Sequence, residues 1–247
     1  MWGIIPAAGA GSRIQPLAFS KELLPVGSRR EGELERPRAV SEYLVDRMVR
    51  GGVRKICFVI SPEKSDILSY YGGEAPPARI FYAVQSRPAG LCDAIFQAAP
   101  LVHSEEQAIV GLPDTVWFPG DALCRLEDHR FSFLLFPVDH PERFDAVLMD
   151  GANRVLEVRV KRRDAGSRWI WGAFKFPGSV LHALHELWRE RGGVDEYFGS
   201  LVNAFIERGG VAHGVCAGES YVDVGTLSGF REAAVLLENE GAVPGQR

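Results

Sequence analysis

Residues 2–8 form an almost unbroken apolar run that ends in glycines. Residues 40–50 instead set Val40, Tyr43, Leu44, Met48 and Val49 at helical spacing ahead of Gly51 and Gly52. The first pattern predicts a strand buried on both faces in mid-sheet, and the second a helix stopped by its glycines. The alternation continues with a strand over 55–60, a helix over 63–71, a strand over 79–84, a helix over 90–99 and a strand over 107–112. Such strand-then-helix repetition implies parallel strands with covering helices. Beyond it the pattern changes: 131–138, 146–150, 154–161 and 168–176 read as strands with short turns, hence antiparallel. Helices are predicted over 180–191, 196–208 and 227–240, with strands over 211–216 and 219–224 between the last two. No linker and no repeat divides the chain, so one mixed α/β domain over 1–240 is expected, with a flexible tail over 241–247.

One stretch breaks the pattern. Residues 28–38 carry Arg29, Arg30, Arg36, Arg38, Glu31, Glu33 and Glu35 around a single large apolar residue, Leu34. Mixed charge of this kind commonly marks a solvated loop, and a lid over phosphates is the sharper alternative.

Composition adds boundaries. The 247 residues are 46% hydrophobic and 24% charged, enough for a core without disulfides. A net charge of −4 argues against a dedicated binder of nucleic acid or of anionic membranes, so any anion must be met locally. Cys57, Cys92, Cys124 and Cys216 form no CxxC pair and read as reduced core thiols. The amino-terminal apolar run is too short for a membrane span and has no basic segment before it, so a cytoplasmic protein is expected.

The candidate chemistry begins where the first strand ends, at Ala8-Gly9-Ala10-Gly11-Ser12-Arg13, with Lys21 eight positions beyond the arginine. Small residues let backbone N–H groups approach a polyphosphate, and Arg13 and Lys21 supply mobile positive charge. A Walker A loop would need a GK[ST] ending that is absent, and a dinucleotide fingerprint would need a small residue where Ile14 stands and an acid after the second strand. Asp114 follows an apolar run and so sits at the carboxyl end of a strand, where open α/β sheets bind ligands. Asp223 also ends a strand. Two such carboxylates suit Mg²⁺ bound together with substrate phosphates, although an aspartate before Thr or Gly can simply cap a turn. Gln85 can pair with the edge of a pyrimidine and Gly90 lets a base approach the backbone; a polar strand end and a helix start preceded by Pro88 would account for them equally. His182 and His185 lack a third ligand and read as surface or core histidines, and Trp169, Trp171 and Trp188 read as core or pocket wall rather than a stacking platform for nucleic acid.

Together these elements resemble the signature of the sugar nucleotidyltransferases, GxG(T/S)RLxPxTxxxxKxLLPV. The likeness continues at Gln85 and Pro88 to Leu91 (QxxPxGLA), at Leu112 to Thr115 (LGDN or LGDT) and at Tyr221 to Thr226 (WxDxGT). The resemblance implies a Rossmann-like three-layer fold, with a mixed, mostly parallel central sheet and a smaller antiparallel sugar-side sheet. Residues 1–125 would be the nucleotide-binding half and 126–226 the sugar-phosphate-binding half. It implies an Mg²⁺-dependent reaction of an NTP with a sugar 1-phosphate, giving an NDP-sugar and pyrophosphate, with dTTP or UTP favoured. Arg13, Lys21 and Asp114 would be catalytic, Asp114 and Asp223 would hold the metal, and Ala8 to Ser12, Gln85, Pro88 and Gly90 would bind nucleotide. Lys161, Gly172 and Asp145 would face the sugar phosphate. The chain departs from the family where Val160 replaces a glutamate, Arg162 a proline and Asp145 a glycine. A phosphomonoester such as phosphocholine, or a non-catalytic nucleotide-sugar sensor, therefore stands as an alternative, and a homo-oligomer is left open.

Overall fold

A computed structural model describes residues 1–241, with side chains through 238, so the tail expected over 241–247 lies from 242 onward outside the described residues. The first strand, β1 (Trp2–Pro6), is followed by a hairpin of β2 (Pro25–Glu31) and β3 (Leu34–Ala39), then α1 (Val40–Arg50), β4 (Lys55–Ile60) and α2 (Ser65–Tyr71). Next come β5 (Glu74–Ala75), β6 (Ala78–Val84), α3 (Gly90–Gln97), β7 (Gln107–Gly111) and β8 (Thr115–Phe118). The second half contains β9 (Ser132–Pro137), β10 (Asp145–Met149), β11 (Val155–Val160), β12 (Trp169–Pro177), α4 (Gly178–Glu190), α5 (Phe198–Glu207), β13 (His213–Val215), β14 (Ser220–Asp223) and α6 (Leu227–Gly241).

The main sheet runs β11-β10-β12-β7-β1-β4-β6-β5, with β9 pairing β12 and β13 beside that path. Its centre, β7-β1-β4-β6, is parallel. From β12 outward that path turns antiparallel and extends the same sheet, whereas β13 joins β9 in parallel.

The strands obey the alternation of the pleat. Trp2 and Ile4 of β1, with Cys57 and Val59 of β4, point into a core shared with α3, α4 and α5. Ile5, Ile56, Phe58 and Ile60 point into a second core under α1 and α2. Both faces are therefore covered, which is why β1 and β4 are apolar at nearly every position. The crossover through α1 leaves β1 on one face and the return through α3 reaches β7 on the other, so the β1/β7 boundary is a topological switch point, where a ligand crevice opens at the strand ends.

Two sequence expectations change here. Residues 28–38 are the β2–β3 hairpin rather than an irregular loop, with Arg29 opposite Arg36 and Arg30 opposite Glu35. A two-stranded ribbon exposed along most of its length needs no apolar alternation, so its residues stay charged. Among the thiols, Cys57 and Cys92 are buried whereas Cys124 and Cys216 are exposed, which restricts the core reading to the first two. Among the described residues no helix is long and apolar enough to cross a membrane.

Candidate active site

A short ribbon brings the two aspartates together. β8 and β14 pair antiparallel with Asp223 opposite Thr115, and the Val224 N–H donates to the Asp114 carbonyl at 2.8 Å. Val116, Val222 and Val224 bury the ribbon against Tyr43, Ala233 and Leu24, so the two acids share one rigid edge. A Cβ added to Gly225 would stand 2.8 Å from Asp223 Oδ1 and 3.0 Å from Asp114 Oδ2. Both carboxylates therefore face the same glycine, with Arg13 Nη2 3.2 Å from the same point.

Arg13 and Lys21 reach this edge from the loop after β1. Arg13 Nη1 donates to Asp223 Oδ2 at 2.9 Å, and Lys21 Nζ pairs with Asp114 Oδ2. Gly11 makes room for the lysine: its φ is +68°, and a Cβ there would lie 2.8 Å from Lys21 Cδ. Burial alone would lower the Lys21 pKa, but Asp114, Glu22 and Asp223 outweigh it and hold the ammonium above its ordinary range. Burial likewise pushes Asp114 up, while Lys21 and Arg13 more than reverse that and leave it below the usual carboxylate value. The pair is charged at neutral pH.

Underneath lies a layer that sequence reasoning missed. Glu22 is 1% exposed and accepts from Lys64 Nζ at 2.8 Å through both oxygens, while the same ammonium donates to the Ala7 carbonyl at 2.6 Å. Ser20 is tied to α2 by two hydrogen bonds to Asp66, each 2.6 Å. The end of β1 and the turn bearing Lys21 are thus fixed to the start of α2. The only sequence sign was an acid beside Lys21 within an otherwise apolar stretch.

The cleft above these groups has a volume of about 370 Å³. Ala8, Gly9, Arg13, Lys21, Gln85, Pro88, Gly90, Asp114, Asp145, Lys161 and Asp223 all line it. Ala10, Gly11 and Ser12 do not. Gly172 lies behind the wall, where a Cβ would meet Phe136 Cε2 at 2.5 Å and Tyr221 Cε2 at 2.8 Å. No hairpin residue from 28 to 38 lines the cleft, so the lid alternative finds no contact there. Arg143, Phe144, Trp171, Glu196, Tyr197 and Tyr221 are among the other wall residues and were not singled out as site residues.

Asp145 stands directly opposite Val160 on the β10–β11 ladder, and Lys161 follows immediately. Lys161 holds a left-handed backbone, φ 45°, with its ammonium 4.6 Å from the Tyr197 ring centroid. Burial pushes the Asp145 carboxyl above its ordinary value. The histidines prove structural: His182 Nε2 meets the Val102 carbonyl at 2.8 Å, and His185 stacks on Phe96.

Gly90 opens α3 at φ +85°, and a Cβ there would stand 2.8 Å from Glu196 Cα. Gly90→Ala is therefore expected to push the 195–197 segment outward, to raise the nucleotide KM about tenfold or more, and to cost about 1–3 kcal/mol of stability. Nucleotide titration and urea unfolding of the variant check both effects; an unchanged KM would remove Gly90 from the nucleotide wall.

The family described as nucleotidyl transferase matches residues 2–240. The chain belongs to that family. Glucose-1-phosphate thymidylyltransferase of Neisseria meningitidis is 24% identical over 249 aligned positions, covering 96% of this chain and 83% of the relative. A UTP–glucose-1-phosphate uridylyltransferase of Haloferax volcanii is 26% identical over 193 positions, covering 75% of each. Among solved structures, a protein of Bacillus anthracis provisionally assigned as glucose-1-phosphate thymidylyltransferase superposes with a TM-score of 0.82 at 22% identity, over 99% of this chain and 97% of the other. That last likeness is one of fold. This nucleotidyltransferase keeps the family's Rossmann-like sheet with the cleft at its switch point.

Proposed function

We propose that the chain transfers a nucleotidyl group from an NTP, with dTTP or UTP as the favoured donor, to a sugar 1-phosphate, releasing pyrophosphate. One observation carries the reading: a single cleft is lined by Gly9, Arg13, Lys21, Asp114 and Asp223 and also by Asp145 and Lys161. The names of the relatives support the same substrates. The backbone at Ala8 and Gly9, with Arg13, receives the phosphates that leave, Lys21 neutralises charge at the α-phosphate, and Lys161 holds the sugar phosphate. Asp145 returns a carboxylate, an acceptor for sugar hydroxyls, to the strand pair where Val160 has removed one.

The chemistry needs no general base. A sugar phosphate is already largely ionised near neutral pH. One of its oxygens bonds to the α-phosphorus as the bond to the bridging α–β oxygen breaks, and pyrophosphate leaves with that electron pair. Catalysis then reduces to alignment and charge neutralisation by fixed groups. The donor set fits Mg²⁺, a hard ion that takes one or two carboxylates plus phosphate oxygens, and Asp114 and Asp223 both face Gly225 at the edge of the cleft. Mg²⁺ held by Asp114 and Asp223 would supply positive charge to the phosphates that these two acids alone would repel.

The deciding experiment crosses ATP, CTP, GTP, UTP and dTTP with several sugar 1-phosphates and phosphocholine in the presence of Mg²⁺, read as pyrophosphate release. Release with UTP or dTTP and a sugar 1-phosphate is expected. Release confined to CTP with phosphocholine would replace the acceptor, and tight binding without release would make the protein a sensor.

A further inference from the structure

Gln85 is buried, 5% exposed, at the end of β6. Its Nε2 donates to the Gly90 carbonyl at 3.1 Å and to Asp93 Oδ2 at 2.7 Å. A primary amide has two N–H groups, so both are spent within the protein. The reverse orientation would set Oε1 against a carbonyl and a carboxylate, four lone pairs facing two, and is electrostatically closed. Asp93 is itself held, because its Oδ1 accepts from Gln97 Nε2 at 3.2 Å, one turn further along α3. The chain Gln97, Asp93, Gln85 is therefore polarised in one direction. What Gln85 has left for the cleft it lines is an acceptor, its Oε1.

We infer that Asp93 is a positioning residue that fixes Gln85 as an obligatory acceptor and thereby selects a nucleobase presenting a ring N–H, as uracil and thymine do, against cytosine. The inference rests on the proposed placement of the nucleobase beside Gln85. Uracil and thymine carry a hydrogen at N3, which Oε1 can accept. Cytosine carries a lone pair at N3, so the same approach sets acceptor against acceptor and leaves a buried polar group unpaired, the situation in which small chemical differences produce large discrimination. A carboxylate in the first turn of α3 does this more firmly than an amide would, since it can only accept.

The test compares wild type with Asp93→Asn and Asp93→Ala in Mg²⁺-containing buffer, measuring Kd for UTP and CTP by calorimetry and steady-state rates of pyrophosphate release. Wild type should bind UTP at least about tenfold more tightly than CTP. Asp93→Asn leaves only the Gly90 carbonyl to oppose the reverse orientation of the Gln85 amide, so the UTP/CTP ratio should fall about fivefold or more, with kcat at saturating UTP within about threefold of wild type. Asp93→Ala should behave alike, and a melting temperature near that of wild type separates the effect from damage to the fold. An unchanged ratio in Asp93→Asn, or a wild type that binds CTP as tightly as UTP, overturns the inference. Selective UTP binding that collapses in the variant, without pyrophosphate release from any sugar phosphate, would sink the transferase reading and sustain the inference. A wild type that binds neither nucleotide sinks both.

Discussion

Asp114→Asn is expected to lower kcat about a hundred- to a thousandfold while leaving the KM for the nucleotide within a few fold, since the group acts on charge that develops during transfer. The carboxylate serves two functions at once. It is one of the two acids flanking the space over Gly225, and it is the partner that holds Lys21 in place. Asparagine keeps the shape and can accept a hydrogen bond from Lys21, but it removes a full negative charge from a residue 8% exposed. Steady-state rates across an Mg²⁺ titration check this: the variant should require more Mg²⁺ and still fall short at saturation. Equal turnover would take Asp114 out of the mechanism. The same substitution changes the pH dependence of stability. Asp114 is held below its ordinary value in the folded state, so its stabilising contribution is complete above the unfolded carboxylate pKa, about 3.9, and is lost as pH falls through the folded value. Wild type should therefore lose more stability than Asp114→Asn as pH drops below about 4.

The parallel half was legible because β1 and β4 are covered on both faces, which forces apolar residues at consecutive positions and leaves a signal even in strands of 5 and 6 residues. β8 was not. It has 4 residues, and its partner β14 lies about a hundred positions away, so nothing local announces the ribbon that joins Asp114 to Asp223. Each aspartate could be read as a strand end, yet their meeting depends on a pairing that no spacing encodes. The hairpin escaped for the opposite reason: strands exposed along most of their length carry charge on either face and lose the period of two. Gly172 illustrates a motif match whose physical role differs, since it clears space for Phe136 and Tyr221 behind the cleft wall. Asp93 is an acid in a first helical turn, an ordinary place for one. Its significance lies in which atom of Gln85 it engages, a fact of geometry rather than of sequence.

Lys64→Met is expected to destabilise the fold by about 3–5 kcal/mol at neutral pH, because it leaves the Glu22 carboxylate buried without its hydrogen-bonded counter-charge. Three interactions disappear together: both hydrogen bonds to Glu22 and the one to the Ala7 carbonyl at the end of β1. Removing both charges in Glu22→Leu/Lys64→Met should restore most of the loss, since a buried ion pair repays little more than its own desolvation. Urea unfolding of the two variants distinguishes an orphaned charge from lost packing, which would leave the double variant no better than the single one. The pH dependence supplies an independent sign. Burial already raises the Glu22 pKa against the opposing pull of Lys64, and without Lys64 it must rise further. A carboxyl whose folded pKa exceeds its unfolded value binds more protons in the native state, so its penalty grows as pH climbs above the ordinary carboxylate value and fades below it. The gap between wild type and Lys64→Met should therefore narrow from pH 7 toward pH 4. Activity at low denaturant should fall as well, because Lys21 sits one residue from Glu22 on the same turn and loses the anchor that aims it at Asp114.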